Sequence, residues 1–114
     1  MATDDEVSRL FHGAQAGDRA AFDGLTAALR DRLGAWVRTR IRARLRADLD
    51  PEDVLQETLF RAFRSLGTIE WQGEAAFLAW LRGIAENHIK SEARKYLRID
   101  KASLGPDLAA SGPT

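Results

Sequence analysis

Between Phe22 and Leu45 the apolar side chains return every three or four positions, at Phe22, Leu25, Leu29, Leu33, Trp36, Val37, Ile41 and Leu45, with arginines largely filling the intervals. That spacing lines one face of a helix and does not fit the two-residue alternation of a half-buried strand. No run of the chain alternates long enough to make a strand, so the predicted fold class is all-α. An amphipathic helix of this length needs other helices to cover its apolar face.

Three more helices are predicted. The first runs from about Asp4 to Ala16, with acids at its start and Val7, Leu10, Phe11 and Ala14 on one face; Gly17 ends it and Asp18 caps the long second helix. The third has the clearest start, with Asp50 as cap, Pro51 in the first helical position and Asp53 where a capping-box acid sits; Gly67 stops it. Leu55, Leu59, Ala62, Phe63 and Leu66 form its expected core stripe. The fourth spans about Glu74 to Arg98, with Phe77, Trp80, Leu81, Ile84 and Ala85 apolar in its first half, and Trp80 is expected in the core. The result is a compact bundle of four helices, the second and fourth longest, over residues 1–100, followed by a small, polar linker or disordered tail over 101–114.

A chain of 114 residues, 45% of them hydrophobic, has the size of one domain with one core. It has no cysteine, and His12 and His88 are far apart in sequence, so no cofactor or metal site is expected. The acidic start from Met1 to Glu6 does not resemble a secretory signal and no stretch approaches a membrane span, so a cytoplasmic location without membrane partners is expected.

Zero net charge conceals blocks of opposite sign. Arg30 to Arg46 holds seven arginines against the single acid Asp31, whereas Asp48 to Glu57 holds five acids and no base. Two surfaces of opposite sign are implied. Arg82 to Lys101 adds six bases against three acids, an excess that suits a phosphate backbone or an ordinary solvated face.

Two segments stand out chemically. Asp53, Gln56, Glu57, Phe60 and Arg64 share the side of the third helix opposite its stripe, so Phe60 either packs on a neighbouring helix or anchors a protein-docking surface. The loop Thr68 to Gly73 carries Ile69 and Trp71 between flanking glycines, which permit tight turns, and Trp71 serves equally as a core cap or a stacking platform. Beyond it, Asn87, Lys90, Ser91, Arg94, Lys95 and Arg98 bring amide, hydroxyl and cationic groups to the outer arc of the fourth helix.

The run Asp50 Pro51 Glu52 Asp53 Val54 Leu55 Gln56 Glu57 Thr58, followed by Arg61 Ala62 Phe63 Arg64 Ser65 Leu66, resembles the D-x-x-Q-E helix of region 2 in bacterial sigma factors of the extracytoplasmic-function type. Gly73 to Leu81 with Ile84, Ala85, Glu86 and Asn87 is similar to that family's F-x-x-W-L-x-x-I-A-x-N string, and Gly17 to Phe22 to its G-D-x-x-A-F opening. The resemblance covers roughly Asp4 to Arg98.

It implies a transcription initiation factor and not an enzyme. In the family the D-x-x-Q-E helix binds the beta-prime clamp helices of RNA polymerase, which assigns docking to Asp53, Gln56, Glu57, Phe60 and Arg64. The next loop and helix take up the non-template strand of the minus-ten promoter element. Ile69, Trp71 and Gln72 with Asn87 are then expected to hold a flipped base, with Lys90, Ser91, Arg94, Lys95 and Arg98 along the strand. An anti-sigma factor is a further possible partner.

Three features depart from the family pattern: Gly83 replaces a common basic residue, Glu86 sets a negative charge beside Asn87, and the loop is longer than usual. The charge lowers the expected DNA affinity at that turn. Nothing after Arg98 forms the second domain that reads the minus-thirty-five element in complete factors, so the chain is expected to be half a factor, cut at the linker or naturally short. Two other classes compete with this reading. A polymerase regulator that binds only protein would hold the clamp but no single strands. Catalysis by carboxylate pairs such as Glu52 with Asp53, or Asp53 with Glu57, lacks any accompanying nucleophile or histidine, and the helix dipole already explains acids at a helix start.

Overall fold

The computed structural model describes residues 4–44 and 48–103, and side chains only for 5–44 and 48–95. Leu45 and Arg46, the tail from Leu104 and the side chain of Arg98 lie outside the described residues. The elements are α1 (Asp4–Gln15), α2 (Arg19–Ala43), α3 (Pro51–Ser65), a 3-10 turn (Leu66–Thr68) and α4 (Glu74–Ser103).

Local chemistry accounts for the helix ends. Gly17 takes φ +100°, a conformation that costs glycine nothing, and turns the chain so that the Asp18 amide reaches the Gly13 carbonyl at 3.1 Å. Asp18 then caps α2 by accepting from the Ala21 amide, and Asp50 caps α3 by accepting from the Glu52 amide. α3 ends at Ser65, next to the expected stop, and passes into a 3-10 turn that contains Gly67; among the described residues only Gly17 and Gly73 are glycines with positive φ. At the other end of the loop, Gly73 at φ +100° redirects the chain into α4. That helix runs five residues past Arg98, because no breaker intervenes before Gly105 and Pro106.

All four helices feed one core. Val7 and Phe11 of α1, Leu25, Leu29, Leu33 and Val37 of α2, Val54 of α3, Leu66, and Leu81 and Ile89 of α4 are almost wholly withdrawn from water. Each stabilises the fold by roughly 1.5–3 kcal/mol relative to an exposed side chain. The stripe on α3 is rotated from the expected one: Val54 and Thr58 are buried, whereas Leu59 and Phe63 are partly covered. The reason is tertiary, since α3 packs against both α2 and α4 and so needs a wider apolar arc than one neighbour requires. Thr58 fits there because its hydroxyl donates to the Val54 carbonyl at 2.7 Å. Among the described residues no helix is long and apolar enough to cross a membrane.

Part of the arginine block is paired within the fold. Arg30 pairs with Glu52 of α3 and Arg32 with Glu74 of α4, while Arg40 and Arg44 both reach Glu86 of α4. Opposite blocks separated in sequence are thus spent partly on each other.

Candidate nucleic-acid and docking interface

The outer face of α3 is a product of helical spacing. Asp53, Gln56, Phe60 and Arg64 are exposed, and Glu57 is half-buried, bonded to Arg61 one turn on at 2.9 Å. Phe60 remains 54% exposed, so no neighbouring helix covers it, and the Arg64 guanidinium stands 5.6 Å from its ring centre. An apolar ring ringed by two acids, an amide and a cation suits a partner that buries the ring and pairs with the rim.

Beside this face, Asp53 and Glu57 share a shallow depression of about 330 Å³ with Leu49, Asp50, His88 and Glu92. Burial, with help from the Arg61 charge, pushes the His88 imidazole below its usual pKa against the opposing pull of Glu92 and Glu57.

The predicted base pocket is split in two. Ile69 and Gln72 line one hollow of about 460 Å³, together with Thr68, Glu70, Ala76, Phe77 and Trp80. Asn87 instead lines a second hollow of about 440 Å³ with Arg61, Arg64, Ser65 and Ile84. Trp71 lines neither. Its ring lies 5.1 Å from Phe11 and 5.9 Å from Phe77, part-buried against the core, which is the capping arrangement. Trp80, expected in the core, is only partly buried: it touches Phe77 at 5.7 Å and lends another part of its surface to the first hollow.

Further along α4, Lys90, Arg94 and Lys95 are exposed and Ser91 is half-buried. Lys95 is drawn to Glu92 at 3.4 Å, an exposed pair that contributes little. Positions 87, 90, 91 and 94 fall on one arc at helical spacing, so the second hollow continues into a polar and cationic track.

Glu86, expected to weaken this surface, is turned away from it. Its carboxylate accepts from Arg40 Nε and Nη2, each at 2.8 Å, and from Arg44 Nη2 at 2.5 Å, with the side chain only 16% exposed. Hydrogen bonds from Arg40 hold the carboxyl down at about 2 against the opposing effect of burial, with Arg44 adding to the depression. The charge is neutralised from α2 and ties that helix to α4 one residue before Asn87.

Sequence reasoning missed Ser65 as a hollow wall and Gln15, whose side-chain amide donates to the Leu66 and Ile69 carbonyls at 2.9 and 2.7 Å. Neither had a sequence signal, because each depends on contacts between segments distant along the chain.

Comparison with known proteins gives a consistent result. The model of the Sigma-70 region 2 family matches residues 29–99. Over 100 residues the chain is 33% identical to the RNA polymerase sigma-H factor of Pseudomonas aeruginosa, covering 83% of this chain and 48% of that protein. It is 36% identical over 97 residues to the ECF RNA polymerase sigma factor BldN of Streptomyces coelicolor, covering 79% of this chain and 35% of that protein. The chain thus spans about half or less of the length of these relatives. No solved structure gives a significant match.

Proposed function

The chain belongs to the sigma-70 region 2 family, as a domain of the extracytoplasmic-function type, and we propose that it docks on the polymerase clamp through α3 and captures opened promoter DNA on α4. The partners on this reading are the beta-prime clamp helices and the non-template strand of the minus-ten element, met in the cytoplasm. The observation that carries it is the exposed Phe60 ring among Asp53, Gln56, Glu57 and Arg64, a docking patch that the fold itself leaves uncovered. Burying that ring supplies most of the affinity, and the acids orient a basic partner.

Strand opening on this account needs no bond to be made or broken. A protein that binds the single-stranded form better than the duplex shifts the equilibrium toward it. Unstacking a base costs a few kcal/mol, and contacts to an extruded base return roughly 1–3 kcal/mol. The Asn87 hollow is equipped for such a base: Ile84 offers an apolar wall, Asn87 and Ser65 offer donors and acceptors to base edges, and Arg64 offers a cation to the adjoining phosphate. Lys90, Ser91 and Arg94 continue the track for the backbone, with Lys95 at its edge. Because Arg64 belongs both to the Phe60 patch and to this hollow, docking and capture meet at one side chain.

The test is retention on isolated beta-prime clamp helices of the natural chain and of a variant with Gln56→Ala and Glu57→Ala together. Loss of retention in the double variant is expected, and undiminished retention would refute the docking assignment. Clamp retention without any affinity for single-stranded DNA would leave a regulator that binds protein alone.

A further inference from the structure

The turn between α3 and α4 separates the two hollows. Ser65, just before it, lines the Asn87 hollow, and Thr68, Ile69 and Gln72 line the other. A segment in this place is hard to hold. The final carbonyls of a helix have no partner within it, and the turn's own closing bond, from the Ile69 amide to the Leu66 carbonyl, is long at 3.4 Å.

The missing restraint comes from α1. Gln15, more than fifty residues away in sequence and part-buried, donates through its single Nε2 to both Leu66 O at 2.9 Å and Ile69 O at 2.7 Å. One NH2 group bridging the carbonyls at the two ends of the turn sets their separation. One helical turn earlier, Phe11 holds the next part of the loop by packing on Trp71 at 5.1 Å. Residues 66, 69 and 71 are therefore all gripped by α1, which lies before the residues matched by the family model.

We propose that Gln15 is a positioning residue for single-strand capture, holding the turn so that Ser65 and Ile69 keep the two hollows open and apart. The role rests on the capture reading given above. It requires an amide of this length. Glutamate at neutral pH offers only acceptors to two carbonyl oxygens, and leucine offers nothing. Gln15 touches neither hollow, so its effect passes through the turn.

The experiment uses the full chain and its Gln15→Leu and Gln15→Glu variants. Three quantities are compared: anisotropy of fluorescein-labelled single-stranded homopolymers of dA, dC and dT, retention on beta-prime clamp helices, and hydrogen exchange of the amides from Leu66 to Gln72. Both substitutions are expected to lower single-strand affinity on the order of tenfold, the scale of two lost hydrogen bonds. They also flatten the preference among homopolymers and speed exchange in the turn, while clamp retention holds. Global destabilisation would lower clamp and DNA binding together in proportion to the folded fraction and leave the base preference intact. That pattern, or unchanged DNA binding, overturns the role of Gln15 alone. Absence of single-strand binding by the natural chain overturns the capture reading and this role with it.

Discussion

The proposed docking face of α3 and the proposed capture surface around α4 are built on different plans. The first lies on one helix: Asp53, Gln56, Glu57, Phe60 and Arg64 come together because 3.6 residues make a turn, and any helix with this sequence presents them together. The second is composite. Its hollows take walls from α3, the 3-10 turn, the loop and α4, with Gln15 of α1, Arg40 of α2 and Arg44 at the C-cap of α2 holding those walls from behind. A site on one element survives strain elsewhere in the fold, whereas a site made of four inherits the stability of every contact among them.

Breaking that contrast begins with Phe60→Ala. It should weaken clamp binding by about thirtyfold or more, the scale of an interface anchor, and leave homopolymer binding within twofold of the natural chain. Titration of labelled clamp helices measures the first quantity and anisotropy the second.

Next in size is Asn87→Ala. Removal of the amide from its hollow should reduce discrimination between preferred and other bases by about tenfold, in line with ~1–3 kcal/mol for a well-placed base contact. Clamp affinity should not move. A uniform loss over all sequences would show that Asn87 does not read bases.

The brace behind the hollow gives a third test. Glu86→Gln should lower stability by about 1–2 kcal/mol in denaturant titrations at pH 7, because two cations lose the negative charge between them and one of its two acceptor oxygens becomes a donor. The sign with pH follows from the depressed carboxyl. Its folded value is about 2, below the ordinary 4.5, so the stabilisation is complete above pH ~4.5 and fades as pH falls toward 2. The stability gap between natural chain and variant should close over that window. A gap that stays constant to pH 2 would remove the ion cluster as its cause.

Smallest is Lys90→Ala. Loss of one exposed cation on the track should weaken every single-stranded sequence by a similar, several-fold factor and reduce the salt slope by about 0.7. Any change in base preference would move Lys90 from backbone to base reading.

The sequence by itself determined the four helices, their caps at Asp18 and Asp50, and the α3 face, because each follows from spacing or from contacts within a few residues. Most core positions were legible for the same reason. The rotated stripe on α3 was not, since Val54 and Thr58 are buried by two neighbouring helices at once.

Tertiary structure decided the rest of the candidate site. It divided the expected base pocket, set Trp71 against Phe11, and brought Ser65 beside Asn87. It also turned Glu86 from an expected obstacle into a brace by supplying two arginines from 42 and 46 residues away. Periodicity places a residue on a face of its own helix. Which foreign side chain meets that face depends on how helices cross, and no local pattern encodes a contact whose partners come together only when the core closes.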